Sequence, residues 1–96
     1  PLPDSEIRST VERALGTFRE CYRSAARQAS KTPALRVTLS FVIDEGRAAR
    51  SVRVSGDTLG LGACIKDAAS KIRTRVAPDV GTAAVNVVVK FQPTGG

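Results

Sequence analysis

The apolar residues change period along the chain, and the order of those changes restricts the fold more than any single motif. From Ile7 to Ala29, Ile7, Val11, Ala14, Leu15, Phe18, Tyr22, Ala25 and Ala29 recur at three and four. At about 100° per residue that spacing gathers them into one helical stripe. Asp4 suits the N-cap of a helix from about Ser5 to Ala29, and Pro33 forbids much continuation. The period then falls to two. Leu35, Val37, Leu39, Phe41 and Ile43 alternate with Arg36, Thr38, Ser40, Val42 and Asp44, the pattern of a half-buried strand. Asp44-Glu45-Gly46 makes a tight reversal in which the glycine takes positive φ, so a second strand, about Arg47 to Val54, pairs back with Val52 and Val54 inward. Ser55-Gly56-Asp57-Thr58 forms the next turn, and Asp57 or Thr58 caps a second helix ending before Pro78, with Lys71, Arg73 and Arg75 in its last part. Asp79 to Thr82 is a loop. A last strand, Ala83 to Phe91, turns Val85, Val87, Val89 and Phe91 inward against Ala84, Asn86, Val88 and Lys90, and Pro93 stops it.

The resulting class is α+β with element order α-β-β-α-β. If the final strand pairs with the first, the sheet has three antiparallel strands in spatial order 2-1-3. Right-handed crossover then lays the two helices antiparallel on one face of it.

Two cysteines give independent support. Cys21 lies roughly 70° to one side of the first helical stripe, and Cys64 lies roughly 70° off a second stripe of Leu61, Ile65, Ala68 and Ile72 in the same rotational sense. Helices on one sheet bring equivalent flanks together only when they run antiparallel. An even count in a small basic domain favours a disulfide and an oxidising compartment, with a buried pair of free thiols as the alternative. The chain has no histidine, so neither cysteine finds a base for nucleophilic catalysis, and no four-ligand zinc site can be assembled. Asp44 and Glu45 read as a solvated turn tip rather than an acid–base pair, and no cofactor, metal or catalytic residue is expected.

Ninety-six residues make one domain, which at this size buries only about 60 to 65% of its unfolded surface, so a cross-link would help it. Its core runs over about 4–92, and Pro1-Leu2-Pro3 and Pro93-Thr94-Gly95-Gly96 read as linker remnants of a longer protein. The longest apolar runs are far too short for a membrane span. The net charge of +6 brings polyanions into view as partners. Yet the basic residues are spread over three elements: Arg8, Arg13, Arg19, Arg23 and Arg27 on the first helix, Arg47, Arg50 and Arg53 on a strand, and Lys71, Arg73 and Arg75 at a helix end. One Tyr, three Phe and no Trp provide no stacking platform for bases. The element order shares part of one KH topology, but Gly60-Leu61-Gly62 lacks the GxxG spacing that clamps a nucleotide backbone. No nucleic-acid partner is expected.

Several stretches taken together resemble a known family. They are Cys21-Tyr22 late in the first helix, the run from Val37 through Asp44-Glu45-Gly46-Arg47, Val52-Arg53-Val54-Ser55, Ala63-Cys64-Ile65, Pro78, and the closing Val85 to Phe91 strand. They resemble the TonB-like C-terminal domains of the AgmX/PglI type, found in envelope and gliding-motility proteins of myxobacteria. The likeness covers nearly the whole chain, and the cysteine pair is its most specific part. One departure is Arg75-Val76-Ala77-Pro78, where such domains tend to carry Trp or Phe before the proline. The resemblance implies a periplasmic domain of an inner-membrane-anchored protein, transmitting force or energy to an outer-membrane or periplasmic protein segment. It also implies that the edge of the last strand, Ala84, Val85, Asn86, Val87, Val88, Val89, Lys90 and Phe91, accepts that segment as an added strand. The residues themselves allow this, because the strand has no proline and a single charge. A strand that only completes the core, with its edge covered or self-paired, would show the same valines. Peptidoglycan or another polyanion on the basic surface is the alternative partner.

Overall fold

A computed structural model describes residues 2–93, in the order α1 (Asp4–Ala29), β1 (Leu35–Ile43), β2 (Ala49–Ser55), α2 (Gly62–Ser70) and β3 (Ala83–Phe91). The strands form one antiparallel sheet in the order β2-β1-β3. Leu35, Val37, Leu39, Phe41 and Ile43 point into the core with Val85, Val89 and Phe91, where Phe18, Tyr22, Leu61, Ile65 and Ala69 meet them. The alternate residues of β1 and β3 face outward. α1 packs beside β3 and α2 beside β2.

The helices are antiparallel and covalently joined. Cys21 and Cys64 form a disulfide with Cα atoms 5.7 Å apart. Further along, Arg13 donates to the carbonyl of Arg73 at 3.2 Å, and the Glu6 carboxylate accepts the N–H groups of Arg75 and Val76. One chain thus counts down as the other counts up. For a loop of 43 residues the chain-entropy account gives about 4 kcal/mol of stabilisation.

Five local expectations need correction. Pro3, not Asp4, occupies the N-cap, and its carbonyl accepts the N–H groups of Glu6 and Ile7; a preset φ outcompetes a capping side chain here. Leu2 is buried in the core, so Leu2-Pro3 belongs to the domain rather than to a linker, while Pro1 and Thr94 to Gly96 lie outside the described residues. In the hairpin the positive φ falls on Arg47 (68°) and not on Gly46, because the Asp44 carboxylate takes the Ala48 N–H and holds the turn itself. β2 begins at Ala49 and carries a bulge: between Ser40 and Val42 the partner strand advances from Arg53 to Arg50, with Ser51 at φ 56°. That extra residue puts Ala49 inside along with Val52 and leaves Val54 half-buried.

The largest departure is α2, which ends at Ser70. Lys71 is the C-cap residue, and Arg73 and Arg75 lie beyond the helix rather than in its last turn. Ile72 stays buried, but the chain after it runs extended along β2: Ala49 donates to the Ile72 carbonyl at 3.2 Å, Thr74 to that of Arg47 at 3.0 Å, and Ala48 bridges Arg73. At its start α2 is organised from a distance. One carboxylate, Asp57, accepts the N–H groups of Leu59, Gly60, Leu61 and Gly62 at 2.7 to 3.1 Å, while Leu61 holds the N-cap position. Gly56 is required just before it, since its φ is 83° and a Cβ there would lie 2.7 Å from the Arg36 carbonyl oxygen.

Candidate functional site: the free edge of the last strand

A three-stranded sheet has two outer strands, and the chain treats them differently. β2 is blunted in three ways. The 72–74 segment covers its beginning, a bulge breaks its line, and Arg50 and Arg53 project along it. These are standard protections against an intruding strand. Among the described residues β3 has neither a bulge nor a covering segment. Its register with β1 is unbroken over nine pairs, from Leu35 opposite Phe91 to Ile43 opposite Ala83, and Lys90 is its single charge.

Which of its backbone groups face outward follows from the hairpin. Asp44 donates its N–H to the Ala48 carbonyl at 3.0 Å, toward β2, while Ala49 sends its own N–H away from β1 to Ile72. Amide directions alternate along a strand, so the even residues of β1 address β2 and the odd ones address β3. The odd pairs Val37–Val89, Leu39–Val87 and Phe41–Val85 are then the hydrogen-bonded pairs of the β1–β3 ladder. The even residues of β3, Ala84, Asn86, Val88 and Lys90, turn their N–H and C=O groups to the free edge. Side chains stand closer in the non-hydrogen-bonded pairs, and there the Ser40 hydroxyl reaches the Asn86 side-chain oxygen at 2.7 Å.

Each end of this edge opens onto a recess beside α1. At the start of β3, Leu2, Ile7, Val80, Ala83 and Ala84 line a hollow together with Asp4, Asp79 and Thr82, with Val80 largely in solvent. At its end lies a groove of about 560 Å³ between the C-terminal half of α1 and Lys90, Phe91 and Gln92. Its floor is fixed: Tyr22 and Phe91 stack at 5.2 Å with ring planes 2° apart, and the Tyr22 hydroxyl donates to the Pro33 carbonyl at 2.7 Å. Arg19, Arg23, Arg27 and Lys31 from the helix layer meet Lys90 there. Along the sequence these cations look diffuse, because Lys90 is far from the rest. The four-residue step of Arg19, Arg23 and Arg27 is the signal that they share a helix face.

The remaining charged candidates are structural. Asp44 accepts from Ala48 N–H and from Arg50 Nε (2.5 Å), and the Arg50 hydrogen bond, then that of Ala48, holds its carboxyl below the ordinary range. No cluster of metal-ligating side chains occurs among the described residues, and no helix there is long and apolar enough to cross a membrane. Neither family models, nor curated proteins, nor solved structures provide a match to this chain.

Proposed function

We propose that this is a non-catalytic protein-binding module of a trans-envelope machine, of the TonB-like kind that its sequence resembles, and that it takes an extended partner segment onto the free edge of β3. The observation that carries this reading is the contrast between the outer strands: one is covered, bulged and charged, the other straight, continuous and open. Among the described residues, no backbone partner meets the outward groups of the four even residues of β3, which suits strand addition. Such a module belongs in the periplasm, on a protein anchored in the inner membrane, with an outer-membrane or periplasmic partner. A disulfide fits an oxidising space. Under load, hydrogen bonds between paired strands share a pull along their length, and the cross-linked helices keep the sheet covered while they do so.

Two proline variants test this. Val88→Pro removes an N–H that faces the free edge, so the domain should fold and lose its partner; Val87→Pro removes one that faces β1 and should unfold it. Tagged domain mixed with solubilised envelope proteins of the producing cell reads out capture, and circular dichroism reads out folding. A folded Val88→Pro variant that captures the same partner as the parent would rule out this edge as the docking site.

A further inference from the structure

α1 runs alongside β3 in the same direction. Asp4 and Ile7 lie by Ala83 and Ala84 at one end, and Arg27 and Lys31 lie by Lys90 and Phe91 at the other. Lys90 belongs to the outward face of β3 and Arg19 to the helix layer on the opposite face, so a groove lined by both passes around the strand's free margin. Its described walls carry five cations and no carboxylate. Glu20, next to it, pairs with Arg23 at 3.2 Å and Arg27 at 3.8 Å, and these ion pairs are exposed enough to exchange readily for a ligand's.

From this we infer that the segment added to β3 is acidic, with carboxylates at alternate positions where it passes the C-terminal half of α1. The inference rests on the strand-addition reading and specifies what the added strand carries. Spacing supports it: four helical residues rise about 6 Å, and alternate residues of a strand are about 6.6 Å apart, so Arg19, Arg23 and Arg27 keep step with one side of a strand laid beside β3. A peptide fits better than a nucleic acid or glycan. The two aromatic rings of the groove are stacked on each other and buried, leaving no open face for a base, whereas the open backbone groups of Val88 and Lys90 match another peptide backbone.

The test uses three peptides of one β-branched framework as long as β3, with Glu, Gln or Lys at alternate positions, titrated by calorimetry into the oxidised domain. The Glu peptide should bind at least roughly tenfold more tightly than the Gln peptide, and the Lys peptide more weakly than either. Its affinity should fall as salt rises from about 0.05 M to about 0.5 M. Combining Arg19→Glu with Arg23→Glu, both at exposed helical positions, should lower Glu-peptide affinity roughly tenfold or more and raise that of the Lys peptide. Equal binding of the Glu and Gln peptides, unmoved by charge reversal, would overturn the acidic preference and leave strand addition standing. Glu-peptide binding that survives Val88→Pro would overturn strand addition instead. Displacement by an oligonucleotide of equal charge would make the groove a polyanion site, and the absence of Glu-peptide binding at about millimolar concentration would defeat the inference outright.

Discussion

Asp57 shows how one side chain can organise a stretch of backbone that has no ladder to join. Its carboxylate gathers four consecutive N–H groups, from Leu59 to Gly62, and so turns the chain from the β2 edge into α2. Burial pushes its pKa upward, but the N–H donors of Leu59, Leu61, Gly62 and Gly60 outweigh that and hold it below the ordinary carboxyl value. Replacing Asp57 by Ala leaves those donors without their acceptor and should cost about 2 kcal/mol in urea denaturation. A carboxyl whose folded pKa is depressed contributes stability that is complete above its unfolded pKa, about 3.9, and is lost as pH falls through the folded value. The gap between the parent and Asp57→Asn should therefore be widest near neutrality and narrow below about pH 4. A constant gap from pH 7 to pH 3 would mean that the charge on Asp57 does not hold the turn.

Among the elements, the two helices depend on their cross-link more than on their contact with each other. α2 has only nine residues, short of the length at which a helix is stable alone, and the bond from Cys64 to Cys21 fastens it to a helix nearly three times as long. Replacing both cysteines by Ser should lower unfolding stability by about 4 kcal/mol, measured against the oxidised parent. Protein taken from its native cells and alkylated without reduction should show no free thiol. Two alkylated cysteines there would contradict both the bond and the oxidising compartment. The pairing is legible in the sequence, because helix period and cysteine position are local and the antiparallel arrangement follows from them. The limits of β1 and β3 are legible for the same reason: strict alternation bounded by Pro33 and Pro93 leaves little choice. The end of α2 is not. Ile72 keeps the helical spacing of Leu61 and Ile65, yet it reaches the core from an extended segment that is hydrogen-bonded to Arg47 and Ala49, and nothing in the local pattern announces those partners. The bulge at Ser51 is hidden likewise, since positive φ at a serine has no sequence signal. These two unforeseen features, together with Arg50 and Arg53, distinguish the protected outer strand from the open one.

Taken whole, the molecule is a cross-linked helix layer over a sheet with one finished margin and one unfinished margin. Among the described residues the stretches outside the sheet are used elsewhere: α1 and α2 lie over one face, the 72–74 segment lies along the start of β2, and 79–82 leads directly into β3. For β3 to receive a partner, nothing in the free domain, including a second copy of itself, can cap it. Amide hydrogen exchange by NMR on dilute, oxidised domain examines this residue by residue. The amides of Val85, Val87 and Val89, bonded to β1, should exchange slowly, and those of Asn86, Val88 and Lys90 should exchange near the rate of unstructured chain. On addition of the Glu-bearing peptide the second set should slow while the first stays as it was. Equal protection of both sets in the free domain, or an added peptide that leaves Asn86 and Val88 exchanging freely, would contradict the claim that the last strand is an open edge built to receive a partner.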